Sequence, residues 1–321
     1  MLRRVGMAFQ KRALEGDVVR VDSDVTMRRG FFDAPKARAS STPRAPAASA
    51  STPPSERRAP RADDFDVDFA FETPPGTSAS ACENVLVLLH GDLDSPANFL
   101  RFGRALNLPR TAVVALGGTL DMYGNALGAR EAPMRRWFLS KEEGASDAGR
   151  QDALENASAR IRRGLLRMRD ARGWSLDRVH VFGFSDGGTV ALDLATQMVG
   201  ADSRLGSCAA AYASLLEPDR ESRYGPCADA PTPVLLLGGA RDEEAPMGRV
   251  RATAAALERR NHGCGAQVCE FDKTHSMISS EPETRALMTF WGKTLKVPRT
   301  KAEDYGDDVI ELGGDATARA V

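Results

Sequence analysis

Hydrophobic and polar positions follow two periods along the middle of the chain. Phe65, Val67, Phe69 and Phe71 alternate with Asp66, Asp68 and Ala70, the pattern of a half-exposed strand. Val85 to Leu89 is an unbroken apolar run behind Asn84, which reads as a strand buried on both faces of a parallel sheet. Residues 111–116, 179–184, 207–213, 233–238 and 267–271 predict further strands. Helical spacing lies between them. Over residues 147–172, Ala153, Leu154, Ala157, Ile161, Leu165 and Met168 fall near one face, and helical patterns recur at 189–195, 247–260 and 281–295. Ser280 and Glu283 have the spacing of a capping box for the last helix. The alternation predicts one α/β domain with a mostly parallel central sheet flanked by helices, and no large cap domain.

Composition sets the limits of that domain. From residue 34 to 61 the chain is nearly all Ala, Ser, Pro, Thr and Arg, too poor in apolar surface to fold. We therefore expect a disordered extension over 1–62, the folded domain over 63–297 and a flexible polar tail over 298–321. Residues 1–61 hold 13 Lys/Arg against 6 Asp/Glu within a chain of net charge −1. Such a segment also fits an organellar transit peptide, for a chloroplast or mitochondrion, although Glu15, Asp17, Asp22, Asp24 and Asp33 are unusual there. A cytoplasmic protein is the expectation otherwise. The near-neutral total predicts no nucleic-acid partner, and the short apolar runs predict no integral membrane segment. The five cysteines form no metal-ligand pattern, so reduced thiols and no metal are expected. A monomer or weak dimer is expected.

The strongest chemical signal is Gly183-Phe184-Ser185-Asp186-Gly187, set between a predicted strand and a predicted helix. A serine on so tight a bend exposes its hydroxyl above the strand end, beside the positive end of the helix. A hydroxyl attacks only after a base takes its proton, and that base needs an acid to orient it. In open α/β sheets these groups come from loops at the carboxyl ends of strands. His180 lies inside a strand, His90 belongs to a His-Gly turn that reads as structural, and His262 follows a helix. His275, just beyond residues 267–271, remains. Asp242 holds the same place after the preceding strand, with Asp272 and Asp229 as rivals. The backbone N–H of Asp186 and that of Asp92, or alternatively Leu93, are expected to hold the oxyanion.

These pieces resemble the acyl-protein thioesterase and carboxylesterase family of α/β-hydrolases, also called phospholipase/carboxylesterase. The matching stretches are Leu89-His90-Gly91-Asp92-Leu93-Asp94-Ser95, Arg136-Trp137-Phe138, the serine elbow, Gly239-Ala240-Arg241-Asp242-Glu243-Glu244-Ala245-Pro246, and His275-Ser276. The chain departs from the family in Asp186, where glutamine is usual, in Gly91-Asp92-Leu93-Asp94 in place of Gly-Leu-Gly-Asp, and in Leu139, where aspartate often stands. The resemblance implies hydrolysis of carboxylic esters or thioesters, including the palmitoyl thioester of a lipidated protein, with no cofactor. An acyl chain needs an apolar slot, for which Leu93, Trp137, Phe138 and Met277 are the candidates, joined by Phe99, Met134 and Ile278 on neighbouring loops. A rival expectation from another class is a hydrolase-fold protein that binds a small apolar ligand with little or no turnover.

Overall fold

The computed structural model describes residues 56–127, 133–141, 143–200, 202–217, 231–260 and 266–296. Contacts divide the chain into residues 1–41 and 42–321, and every described residue belongs to the second unit. In chain order come β1 (Phe69–Glu72), β2 (Asn84–Leu89), α1 (Pro96–Leu106), β3 (Thr111–Leu116), β4 (Leu120–Asp121) and β5 (Arg135–Arg136). Next are α2 (Asp147–Arg172), β6 (Val179–Phe184), α3 (Asp186–Gln197), β7 (Ser207–Ala211), β8 (Val234–Gly239), α4 (Met247–Arg260), β9 (Gln267–Phe271) and α5 (Glu281–Thr294). The main sheet has the order β1-β3-β2-β6-β7-β8-β9; β1 runs antiparallel to β3 and the remaining neighbours pair in parallel.

The continuous apolar runs become central strands because both sheet faces are covered. Odd positions of β2, namely Val85, Val87 and Leu89, join a layer with Leu154, Ile161 and Leu165 of α2, Val190 and Leu194 of α3, and Val250 of α4. Leu86 and Leu88 point the other way, into a layer with Phe99 of α1 and Leu287, Phe290 and Trp291 of α5. Helices α1 and α2 start at serine caps, Ser95 and Ser146, and α5 starts at the full Ser280–Glu283 box. At the opposite end of the sheet, buried His180 meets Ser207 Oγ at 2.8 Å and Asn84 Oδ1 at 3.3 Å. Asn84 in turn donates to the Lys296 carbonyl at 2.8 Å and accepts from its N–H at 2.9 Å, tying down the end of α5.

Two expectations are corrected. The alternating stretch 65–71 is not one strand: β1 begins only at Phe69, while Phe65 and Val67 are buried against α2. The cause is Asp66, whose carboxylate accepts from Arg167 at 2.8 Å and Arg163 at 3.1 Å, so that this segment lies along the helix. Ordered packing also starts before residue 63. The Arg58 N–H donates to the Arg172 carbonyl at 2.9 Å, and Trp174 Nε1 donates to the Arg58 carbonyl at 2.8 Å. The rest of the expected extension, residues 1–55, and the tail 298–321 lie outside the described residues, as do His262, Cys227, Cys264 and Asp229.

Candidate active site

Ser185 occupies the junction of β6 and α3 with φ 53° and ψ −124°, a conformation that a side-chain-bearing residue adopts only under constraint. The constraint is visible in hydrogen bonds: the Ser185 N–H donates to the Ala211 carbonyl and its carbonyl accepts from the Thr189 N–H, both at 3.0 Å. Gly183 is required, since a Cβ there would collide with the Gly187 carbonyl.

His275 follows β9 and Asp242 follows β8, so both reach the carboxyl edge of the sheet where β6 presents Ser185. His275 Nε2 lies 2.8 Å from Ser185 Oγ, and His275 Nδ1 lies 2.8 Å from Asp242 Oδ2. A carboxylate only accepts, so Nδ1 carries the proton and the Nε2 lone pair faces the hydroxyl. The other Asp242 oxygen accepts from the backbone N–H groups of Glu244 at 2.9 Å and Ala245 at 2.8 Å, which fixes the buried carboxylate. Arg241 donates to Asp272 and, through its N–H, to the Lys273 carbonyl, so the Asp242 and His275 loops are stitched together. Asp272 thus faces solvent in a surface ion pair. The imidazole is further enclosed by the rings of Phe184 and Tyr212, with centroids 5.3 and 6.3 Å away.

The loop after β2 closes the other side. Gly91 packs so tightly that a Cβ on it would come within 2.8 Å of the Phe184 ring and 3.7 Å of Ser185 Cβ. His90 is buried and structural: its Nδ1–H donates to the Gly91 carbonyl at 2.6 Å and its Nε2 accepts from the Gly118 N–H at 2.9 Å. The backbone N–H groups of Asp92, Leu93 and Asp186 have no acceptor among the described residues. Backbone N–H donors left without a protein acceptor can stabilise charge that develops on a carbonyl oxygen.

Trp137 and Phe138, expected to line an acyl slot, are buried. They are 0% and 1% exposed and belong to the core layer under α2; Trp137 Nε1 donates to the His90 carbonyl at 2.8 Å. Their position beside the loop was legible, but a ring whose one polar atom reaches inward to the backbone packs inward with it. Phe99 and Ile278 are buried as well, whereas Leu93 and Met134 stand exposed and Met277 is half-buried.

Several charged groups at the site had no local signal in the chain. Arg136, nearly fully buried, grips the Asp92 carboxylate with two bonds of 2.9 and 2.7 Å and Glu143 with a third of 2.7 Å. Behind His275, Lys273 Nζ donates to the Met277 carbonyl at 2.6 Å and to Glu283 at 2.8 Å, and Tyr212 donates to the same Glu283 oxygen at 2.5 Å. Burial alone would raise the Glu283 pKa, yet the bonds from Lys273, Ser280 and Tyr212 outweigh it and hold the carboxyl below its ordinary range. Asp186 is the opposite case. Burial, with the nearby Asp92 and Glu244 carboxylates, pushes its pKa up to about 7 against the pull of Arg150 and Arg136. Glu244 also places an oxygen 3.5 Å from His275 Nε2. No group of three His, Cys, Asp or Glu among the described residues is placed to hold a metal, and no described helix is long and apolar enough to cross a membrane.

Residues 77–290 match the family model described as phospholipase/carboxylesterase. An uncharacterized hydrolase from Mycosarcoma maydis is 26% identical over 247 residues, covering 74% of this chain and 85% of its own length. Among solved structures, esterase PE8 is similar with a TM-score of 0.58 at 21% identity, over 71% of this chain and 100% of that one. Acyl-protein thioesterase 2 from Zea mays is similar with a TM-score of 0.51 at 18% identity, over 72% of this chain and 100% of that one.

Proposed function

The chain belongs to the phospholipase/carboxylesterase family of hydrolases, and from that premise we propose that it is a serine hydrolase cleaving carboxylic esters or thioesters through an acyl-enzyme on Ser185. The observation that carries this reading is the position of His275, 2.8 Å from both the Ser185 hydroxyl and the Asp242 carboxylate. Ser185 Oγ attacks the acyl carbonyl while His275 Nε2 takes its proton. Asp242 holds the tautomer and stabilises the imidazolium that forms. The carbonyl oxygen, now negative, is held by the N–H of Asp186 and by that of Asp92 or Leu93. His275 returns the proton to the leaving alcohol or thiol, then activates a water that releases the acid and frees the serine.

The acyl group enters past Leu93 and Met277, the two slot candidates that remain near the surface. Thioesters stay in scope beside oxygen esters because a neighbour of the same fold is an acyl-protein thioesterase, and a lipidated protein is one substrate of that class. The test is labelling of Ser185 by a fluorophosphonate, together with turnover of matched acyl esters and thioesters of rising chain length. Ser185→Ala and His275→Ala are each expected to lower kcat by more than about 10³-fold, because members of such a set act as a unit. Near-normal turnover in either variant, or an unlabelled Ser185 in the native chain, overturns the reading.

A further inference from the structure

A polar cavity of about 250 Å³ is lined by Lys141, the first turn of α2, the first turn of α4 and the segment that leaves β7. Its charged lining residues are Lys141, Asp147, Arg150, Glu217 and Arg249, with buried Gln151 between them. Arg150 is fixed by a 3.2 Å bond from Nε to the Leu139 carbonyl and by stacking over the Phe138 ring, 5.3 Å from its centroid. Arg249 reaches the carbonyls of Leu215 and Leu216 at 3.4 Å. These contacts set where the two guanidinium groups stand. Neither makes an ion pair among the described residues, whereas Arg136, Arg163, Arg167 and Arg172 each meet a carboxylate.

The acids at the cavity do not cancel that charge. Asp147 is engaged by Lys141 at 2.5 Å, and Glu217 is the other carboxylate in the lining. Burial, and then the like charge of Arg150, lower the pKa of Arg249, with Asp147 opposing. Two cations held at one hollow are relieved by an anion, and the N-terminal turns of α2 and α4 favour the same sign. Arg150 also acts on the Asp186 carboxyl, so the cavity lies within electrostatic reach of the nucleophile's neighbour. The segment leaving β7 is anchored to the second turn of α3, where Thr189 Oγ1 donates to the Ser214 carbonyl at 2.9 Å.

We propose that this cavity is a subsite for an oxyanion, a carboxylate or a phosphate, carried by the ester or thioester that Ser185 attacks. Guanidinium groups suit either anion, because their planar fork matches two oxygens at once. The proposal rests on the hydrolase reading of Ser185 and narrows its substrates to acidic acyl compounds.

The test pairs a binding measurement with a substrate comparison on the full chain. Inorganic phosphate is titrated calorimetrically, and kcat and KM are measured for three esters of one acyl length: one neutral, one ending in a carboxylate and one ending in a phosphate. Phosphate is expected to bind and to compete with the acidic esters, which outperform the neutral one; the better of the two identifies the natural anion. Arg249→Gln is expected to abolish the phosphate signal and raise KM for acidic esters about tenfold or more, with neutral-ester kinetics unchanged. Arg249→Lys is expected to recover part of the loss. Absence of phosphate binding, phosphate binding indifferent to Arg249→Gln, or equal loss on neutral and acidic esters overturns the proposal. An unlabelled Ser185 in the fluorophosphonate experiment instead marks failure of the hydrolase reading, and calorimetry still reads the anion site in that event.

Discussion

At the scale of single residues, the position after Ser185 is one of the three where this chain departs from the family pattern. On the proposed mechanism Asp186 offers a backbone N–H to the developing oxyanion, and burial pushes the pKa of its carboxyl up to about 7. The charge on that carboxyl therefore switches within the working range of pH. Below pH 7 the carboxyl is protonated and neutral; above it a negative charge stands close to the oxygen that must itself become negative. Asp186→Asn is therefore expected to match the wild type at pH 5.5 and to exceed it in kcat/KM at pH 8.5. The gain is on the order of tenfold, the worth of about 1.4 kcal/mol of like-charge repulsion. A ratio of variant to wild type that stays flat from pH 5.5 to 8.5 would show that the carboxyl is remote from the reacting oxygen. The identity of this residue was plain in the sequence, but its titration was not. The pKa depends first on burial and then on Asp92 and Glu244, which arrive from loops far away along the chain.

At the scale of elements, the short strand β5 does more than its two residues suggest. Arg135 N–H donates to the Asp94 carbonyl at 2.9 Å, Arg136 grips the Asp92 side chain and Trp137 holds the His90 carbonyl. Three consecutive residues thus fix the loop that follows β2. On the proposed mechanism Asp92 serves this loop twice, by its main chain toward substrate and by its side chain toward Arg136. Arg136→Lys keeps a positive charge but cannot reproduce the two-point grip. It is expected to lower kcat about tenfold with KM little changed, and to slow fluorophosphonate labelling in proportion, because a loosened loop weakens only the interaction made as charge develops. A rise in KM at constant kcat would place Arg136 in substrate binding instead. The parallel strands were readable because each is an apolar run bounded by turns, and their carboxyl ends pointed to Ser185, Asp242 and His275. The clamp was not readable: Arg136 is buried by partners that include one 44 residues away. Period-2 alternation misled at residues 65–67 for a related reason, since packing against α2 buries Phe65 and Val67 without any strand pairing.

At the scale of the whole molecule, the sheet carries its polar network at one end and its chemistry at the other, and acid should separate them. His180 is fully buried among Asn84 and Ser207, and burial lowers its pKa to about 4 from an ordinary 6.5. Between those values the unfolded chain binds a proton that the folded chain refuses, so stability is intact above pH 6.5 and falls as pH drops toward 4. The full loss is about 3 kcal/mol. His90, also buried and lowered, adds to the same slope. Asp186 acts with the opposite sign, because its raised pKa lets the folded chain take up a proton first as pH falls, and so it offsets part of the slope. Urea unfolding of wild type and His180→Gln at pH 7.5, 6.5, 5.5 and 4.5 resolves this. The variant is expected to be less stable at pH 7.5, having lost the bonds to Ser207 and Asn84, but to decline less toward pH 4.5, so the two stabilities converge. Parallel curves would mean that the imidazole is hydrated in the native protein and that the Asn84–Lys296 tie closes the sheet without it.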